Sequence, residues 1–140
     1  MKKTLLTALL LLALTVAALA SCASGVIREG LWEDAIYTTD QIIGEGETTF
    51  YLIVEAGDNS VTFTVKTEKT VLGEALRDMD IVKGEEGAYG LYIKSVNGIL
   101  ADYNVDQSWW GVKVEGVTSD YGVDSIEIED GKTYSLVYSK

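Results

Sequence analysis

Apolar and polar positions alternate with a period of two in several stretches of the chain, and with a period near 3.6 in one. Val61, Phe63 and Val65 alternate with Thr62, Thr64 and Lys66, the pattern of a half-buried antiparallel strand. The preceding run Thr49–Glu55 (TFYLIVE) is β-branched and aromatic, and the turn formers Ala56–Ser60 separate the two. Together they predict a β-hairpin. Between Thr70 and about Asp80 the period changes. Leu72, Ala75, Leu76 and Met79 fall at i, i+3, i+4 and i+7, which predicts a helix of roughly three turns with Thr70 as its N-cap. Lys83–Gly87 reads as a charged turn. Leu91 and Ile93, alternating with Tyr92 and Lys94, predict a third strand that ends at Asn97-Gly98. The stretch SWWGVKVEG predicts a fourth, and Ile126 and Ile128 a fifth. Asp130-Gly131 is a type I′ hairpin signal into Thr133–Tyr138. A hairpin, a helix and then four short strands imply an α+β fold. The expected arrangement is β-grasp-like, an N-terminal β-hairpin and one helix packed on a mixed sheet of short strands.

The first residues follow a different logic. Met1-Lys2-Lys3 precede a run from Leu5 to Ala20 that is almost free of polar residues. The run ends Leu19-Ala20-Ser21-Cys22. A charged start, an apolar stretch and small residues directly before a cysteine form a bacterial lipobox. Small side chains at 20 and 21 admit a peptidase, and the Cys22 thiol takes a diacylglyceryl group as a thioether. About 16 largely apolar residues are short for a membrane span, which needs roughly 20. Residues 1–21 therefore read as a lipoprotein signal peptide, 22–33 as a tether and 34–140 as a single domain. The expected location is the extracytoplasmic face of the bacterial cell membrane, with contact to the membrane through the lipid anchor only.

Charge then narrows the partners. With the two lysines of the signal removed, 9 basic and 22 acidic residues remain, a formal charge of −13. Nucleic acid and anionic lipid need a basic patch and are not expected as partners. Cys22 is the sole cysteine, so no disulfide forms within the chain. The sequence has no histidine, no serine beside a plausible base and no Gly-rich phosphate loop. It reads as a non-enzyme.

The adjacent pair Trp109-Trp110 draws the eye to one strand. Trp110, Val112 and Val114 share one face, expected to be the core face. Trp109, Gly111, Lys113 and Glu115 share the other. An outward Trp109 can stack a ligand or anchor a partner, or it can pack beneath the loop Asp102–Ser108. Tyr89, Tyr92 and Tyr103 are candidates to rim the same site, with Gln107 and Ser108 from the loop leading into it. Asp102, Asn104, Asp106 and Ser108 have the alternate spacing of a calcium loop. Gln107 and Lys113, however, stand where such a loop needs Gly and Glu, so no metal site is expected. Glu85 and Glu86 lie in a polar segment that offers no setting to raise a carboxyl pKa.

The stretches VLGEALRD (71–78), GLYIKSVNGILAD (90–102), SWWGVKVEG (108–116) and DYGVDSIEIEDGKTYSLVYSK (120–140) occur in an order that resembles the transcobalamin-like C-terminal domain family. Its members are largely bacterial surface lipoproteins of unknown function, and the resemblance covers about residues 68–140. It implies a β-grasp-like unit that binds a ligand. In the vertebrate carriers such a domain closes over cobalamin, with residues just after the Trp near the ligand. Gly111 and Val112 hold those positions here, and Trp109-Trp110 replaces the family's usual Tyr-Trp. The resemblance requires no cofactor and is compatible with a cobalamin-like ligand. The expected function is capture of a corrinoid-like or other cofactor-sized molecule for uptake, with a membrane transporter as a partner. The alternative is a cell-surface protein- or glycan-interaction module without a small-molecule ligand. A pocket lined by Trp109 and Tyr92 would favour the first, and a flat aromatic patch the second.

Overall fold

The computed structural model describes residues 25–140. The signal segment 1–21 and Cys22 lie outside the described residues. Strand β1 (Gln41–Gly44) is followed by the expected hairpin, β2 (Thr48–Ala56) and β3 (Asn59–Thr67). Across the hairpin Phe50 opposes Val65, Leu52 opposes Phe63 and Val54 opposes Val61. All six are buried, so one face of the ribbon is wholly apolar. Gly57, at φ +60, makes the turn. β1 pairs parallel with β3. It escapes a sequence reading because four residues are too few to display a period.

Helix α1 (Leu72–Asp78) buries Leu72, Ala75 and Leu76, as the spacing predicts. Its N-cap is Val71 rather than Thr70, and no side chain caps it. The supposed turn Lys83–Gly87 is instead part of strand β4 (Val82–Gly87), which pairs antiparallel with β5 (Gly90–Val96). Charges at 83, 85 and 86 hide it, because a hairpin arm with both faces in water carries no apolar alternation. β6 (Ile99–Leu100) completes this three-stranded sheet. A one-turn helix α2 (Tyr103–Asp106) then leads into β7 (Trp109–Val114) and β8 (Val117–Thr118).

The end of the fold departs most from expectation. Ile126–Glu129 is not a strand, and its β-pairing is limited to a single bridge, Val71 to Glu127. Ile126 is nevertheless buried and Ile128 packs against the core. Their alternation reflects burial without a ladder. Asp130-Gly131 does turn the chain: the Lys132 N–H donates to the Glu129 carbonyl and Gly131 has φ +80. The turn does not close a hairpin. β9 (Thr133–Ser139) enters between β2 and β7, parallel to the first and antiparallel to the second. Tyr134 and Leu136 are buried there, and both strand edges are satisfied. The six-stranded sheet therefore runs β1-β3-β2-β9-β7-β8. The result is an α+β fold on mixed sheets.

The core lies between the inner face of this sheet and a layer made of α1, the three-stranded sheet and the N-terminal segment. Trp32, within the stretch expected as a tether, is 2% exposed, and its Nε1–H donates to the Ala56 carbonyl at 2.9 Å. Val26 also packs on the core, so packing begins well before residue 34. Asn97 holds this segment in place. Its side chain accepts from the Tyr37 N–H and donates to the Tyr37 carbonyl, both at 2.8 Å.

Candidate functional site

The tryptophan pair splits as strand parity dictates. Trp110 is 6% exposed, donates from Nε1 to the Ile99 carbonyl at 3.2 Å, and meets Tyr138 edge-on at 5.7 Å. Trp109 is 45% exposed. Its ring lies along its own strand over Gly111: a Cβ at 111 would stand 3.0 Å from Trp109 Cζ3 and 3.4 Å from Cη2. The missing side chain at 111 leaves room for this edge of the half-exposed indole.

The loop before it is tied to itself. The Asp102 side chain caps α2 through the Asn104 N–H at 3.0 Å, and Gln107 ends the helix at φ +62. Ser108 is buried. Its hydroxyl donates to Asp106 Oδ1 at 2.5 Å and accepts from the Asp102 N–H at 2.9 Å. These Ser108 bonds, with Lys140 3.6 Å away, hold the Asp106 carboxyl below its ordinary range. The spaced acids of 102–108 thus serve as caps. Among the described residues no group of three or more His, Cys, Asp or Glu is placed to hold a metal ion.

The three tyrosines stand apart on three elements. Tyr89, 98% exposed, tips the β4–β5 hairpin. Tyr92 is exposed on β5 opposite Glu85, and Tyr103 is exposed at the first position of α2. Among the described residues the paired rings are Tyr37–Phe63, Phe50–Tyr134 and Trp110–Tyr138, and none of these tyrosines nor Trp109 belongs to a pair. Glu85 pairs with Lys94 at 3.2 Å and Glu86 with Arg77 at 2.9 Å.

The register shows what Trp109 shares its face with. Ile42, Thr64, Tyr51 and Thr133 form one row across the outer face of the six-stranded sheet. Thr62, Ile53, Ser135 and Lys113 form the next. Ser60, Glu55, Val137 and Gly111 form the third, with the Trp109 ring over its end. Sequence reading does not reveal this face, because its members come from five strands far apart in the chain. A second feature also lay beyond it. A groove of about 280 Å³ opens between α1 and the β1–β3 edge, with Tyr37, Ile43, Val65 and Met79 among its apolar lining and Lys69 and Asp78 at its mouth. Among the described residues no helix is long and apolar enough to cross a membrane.

On the opposite side of α1, Arg77 grips Asp124 with two hydrogen bonds, at 2.5 and 2.8 Å, and Glu86 with two more at 3.0 Å. Asp124 also accepts from the Leu91 N–H at 2.8 Å. Its carboxylate fills the space that a Cβ on Gly73 or Gly90 would occupy. The Arg77 guanidinium holds the Asp124 carboxyl well below the usual carboxylate range. The guanidinium pKa is raised in turn.

Comparison with known proteins places this geometry. Residues 68–140 match the profile of the domain of unknown function DUF4430. A search of curated proteins finds no match. Among solved structures, a candidate metal binding protein from Ruminococcus gnavus ATCC 29149 superposes with a TM-score of 0.63 at 30% identity, over 67% of this chain and 98% of its own. Haptocorrin in complex with Cbi superposes with a TM-score of 0.53 at 21% identity, over 66% of this chain and 25% of haptocorrin. The haptocorrin likeness is one of fold, and it is the transcobalamin-like fold that the sequence motifs resemble.

Proposed function

The chain belongs to the DUF4430 family, and on that premise we propose that it is a ligand-binding protein of the cell envelope. In this reading Cys22 carries the lipid anchor, the β-grasp-like domain faces outward, and it performs no catalysis. It captures a corrinoid-like or other cofactor-sized molecule and passes it to a membrane transporter. The observation that carries the reading is the half-exposed Trp109 packed over Gly111. A large rigid ring kept in water on a sheet surface is a ready stacking partner. The structural neighbours support it: haptocorrin was solved with Cbi, and the Ruminococcus gnavus protein is a candidate metal binder.

The test is a titration of the purified protein with corrinoids and other ring-bearing cofactors while tryptophan emission is followed. Trp32 and Trp110 are buried, so a surface ligand acts chiefly on Trp109. Quenching that disappears in Trp109→Ala supports the reading, and no quenching by any ligand refutes it. A second reading puts a small amphipathic ligand in the groove beside α1, favoured by its volume and apolar lining. Binding that persists undiminished in Trp109→Ala moves the site there.

A further inference from the structure

We propose that the ligand of the Trp109 face is a neutral saccharide chain lying across the outer face of the six-stranded sheet. This rests on the reading of that face as a ligand site, and it puts a saccharide there in place of a cofactor-sized molecule. Four observations carry it. The first is charge. Of the twelve residues in the three cross-strand rows, only Glu55 and Lys113 are charged, and Glu115, beside Thr133 at the end of the first row, leaves the face one negative charge. The protein as a whole carries −11. A face with so little net charge on so acidic a chain does not strongly attract an anion or a cation. It suits a partner with no charge.

The second is the supply of hydroxyls. Thr62, Thr64, Thr133 and Ser135 all point to this face, from β3 and β9 on either side of β2. Ser135 is the informative one. The residue is 4% exposed, yet its hydroxyl makes no hydrogen bond among the described residues. No fully buried side-chain polar atom is left unpartnered among them, so this hydroxyl opens to the surface. It is a polar group held at the floor of the face, with both donor and acceptor capacity unused. Sugars present the same chemistry: hydroxyls that donate and accept, and no formal charge.

The third is the platform. The exposed face of an indole carries the negative side of its quadrupole. The C–H face of a pyranose ring is weakly positive and flat, and it stacks on such a surface. Gly111 makes the platform by removing the side chain that would tilt the ring away. The fourth is extent. Tyr51, partly exposed, lies two strands from Trp109, whose ring over Gly111 is four residues along, so about 10 Å across and roughly 13 Å along the sheet separate the rings. Ser135 and Val137 lie on the diagonal between them. That track is long enough for a few linked sugars. A protein partner would be expected to find a larger apolar centre with a pocket for an anchor residue.

The experiment titrates the full-length protein in detergent with neutral cello-, xylo-, manno- and chito-oligosaccharides of increasing length, with a corrinoid series alongside. Tryptophan emission and calorimetry are the readouts. The expected result is affinity that rises with chain length, falls about tenfold in Trp109→Ala, and falls about threefold in Ser135→Ala, the fold-changes of one lost stacked ring and one lost hydrogen bond. Ser135→Ala removes no internal hydrogen bond, and an unchanged circular dichroism spectrum shows that it folds. Quenching by corrinoids with no response to any saccharide overturns the ligand class and leaves the ligand site standing. Silence towards both overturns both. Saccharide binding that Trp109→Ala leaves intact, or a face found buried against an envelope protein by cross-linking from Thr62→Cys, also overturns the proposal.

Discussion

Replacing Asp124 by Ala should loosen three parts of the fold at once. The carboxylate joins the 3₁₀ turn Val123–Ser125 to α1 through Arg77, and to the β4–β5 hairpin through the Leu91 N–H. Losing it strands a half-buried N–H, at about 1–2 kcal/mol. It also removes a bidentate ion pair. The Arg77 and Asp124 side chains are 35% and 24% exposed, and Arg77 keeps Glu86, so the pair's share is discounted to about 1 kcal/mol. The expected total is about 2–3 kcal/mol at neutral pH. In urea denaturation, with a slope of roughly 1–3 kcal/mol per molar, the midpoint should drop by about 1–2 M. The pH dependence has a definite sign. The folded Asp124 pKa lies below its unfolded value of about 3.9, so its contribution is full above that pH. It is lost as the pH falls through the folded value. Arg77 stays protonated throughout and adds no slope. The gap between wild type and Asp124→Ala should therefore hold from about pH 7 to pH 5 and shrink below about pH 3.9. A gap under about 0.5 kcal/mol at neutral pH, the size of an ordinary surface change, would refute this account. So would a gap that stays constant down to about pH 2.

Other expectations follow from single contacts. Trp32→Ala should cost about 3–5 kcal/mol in chemical denaturation, because a fully buried ring and its bond to Ala56 are lost together. Asn97→Ala should raise amide exchange at Tyr37 and its neighbours selectively, since both bonds that pin this segment from the Asn97 side chain disappear. Gly111→Ala should lift the Trp109 ring and shift its emission while changing stability by less than about 1 kcal/mol, because the ring is half in water already.

Period-two parity was enough to separate Trp110 from Trp109, because a half-buried strand obeys it strictly. Period 3.6 likewise found the buried face of α1. What failed was whatever depended on pairing between distant segments. β4 has no apolar rhythm because its hairpin ladder, not burial, makes it a strand. Ile126 and Ile128 have the rhythm without the ladder. The Asp130-Gly131 turn is real, but a local turn cannot say which strands will flank β9. The same limit applies to the sites. Trp109 could be singled out from its neighbours in sequence. The hydroxyl-bearing face around it exists only once β3, β2, β9 and β7 lie side by side, and the groove beside α1 only once β1 has joined the edge.

The position of β9 also bears on how the molecule is made. It is the ninth strand in chain order, yet it is the third from one edge of a six-stranded sheet. Until it arrives, the β1-β3-β2 portion and the β7-β8 hairpin are separate pieces, each with a bare edge where Tyr134 and Leu136 should pack. Such a sheet closes like a zip fastener whose slider is fitted last. Its pairing is long-range and slow, and the open edges invite other chains meanwhile.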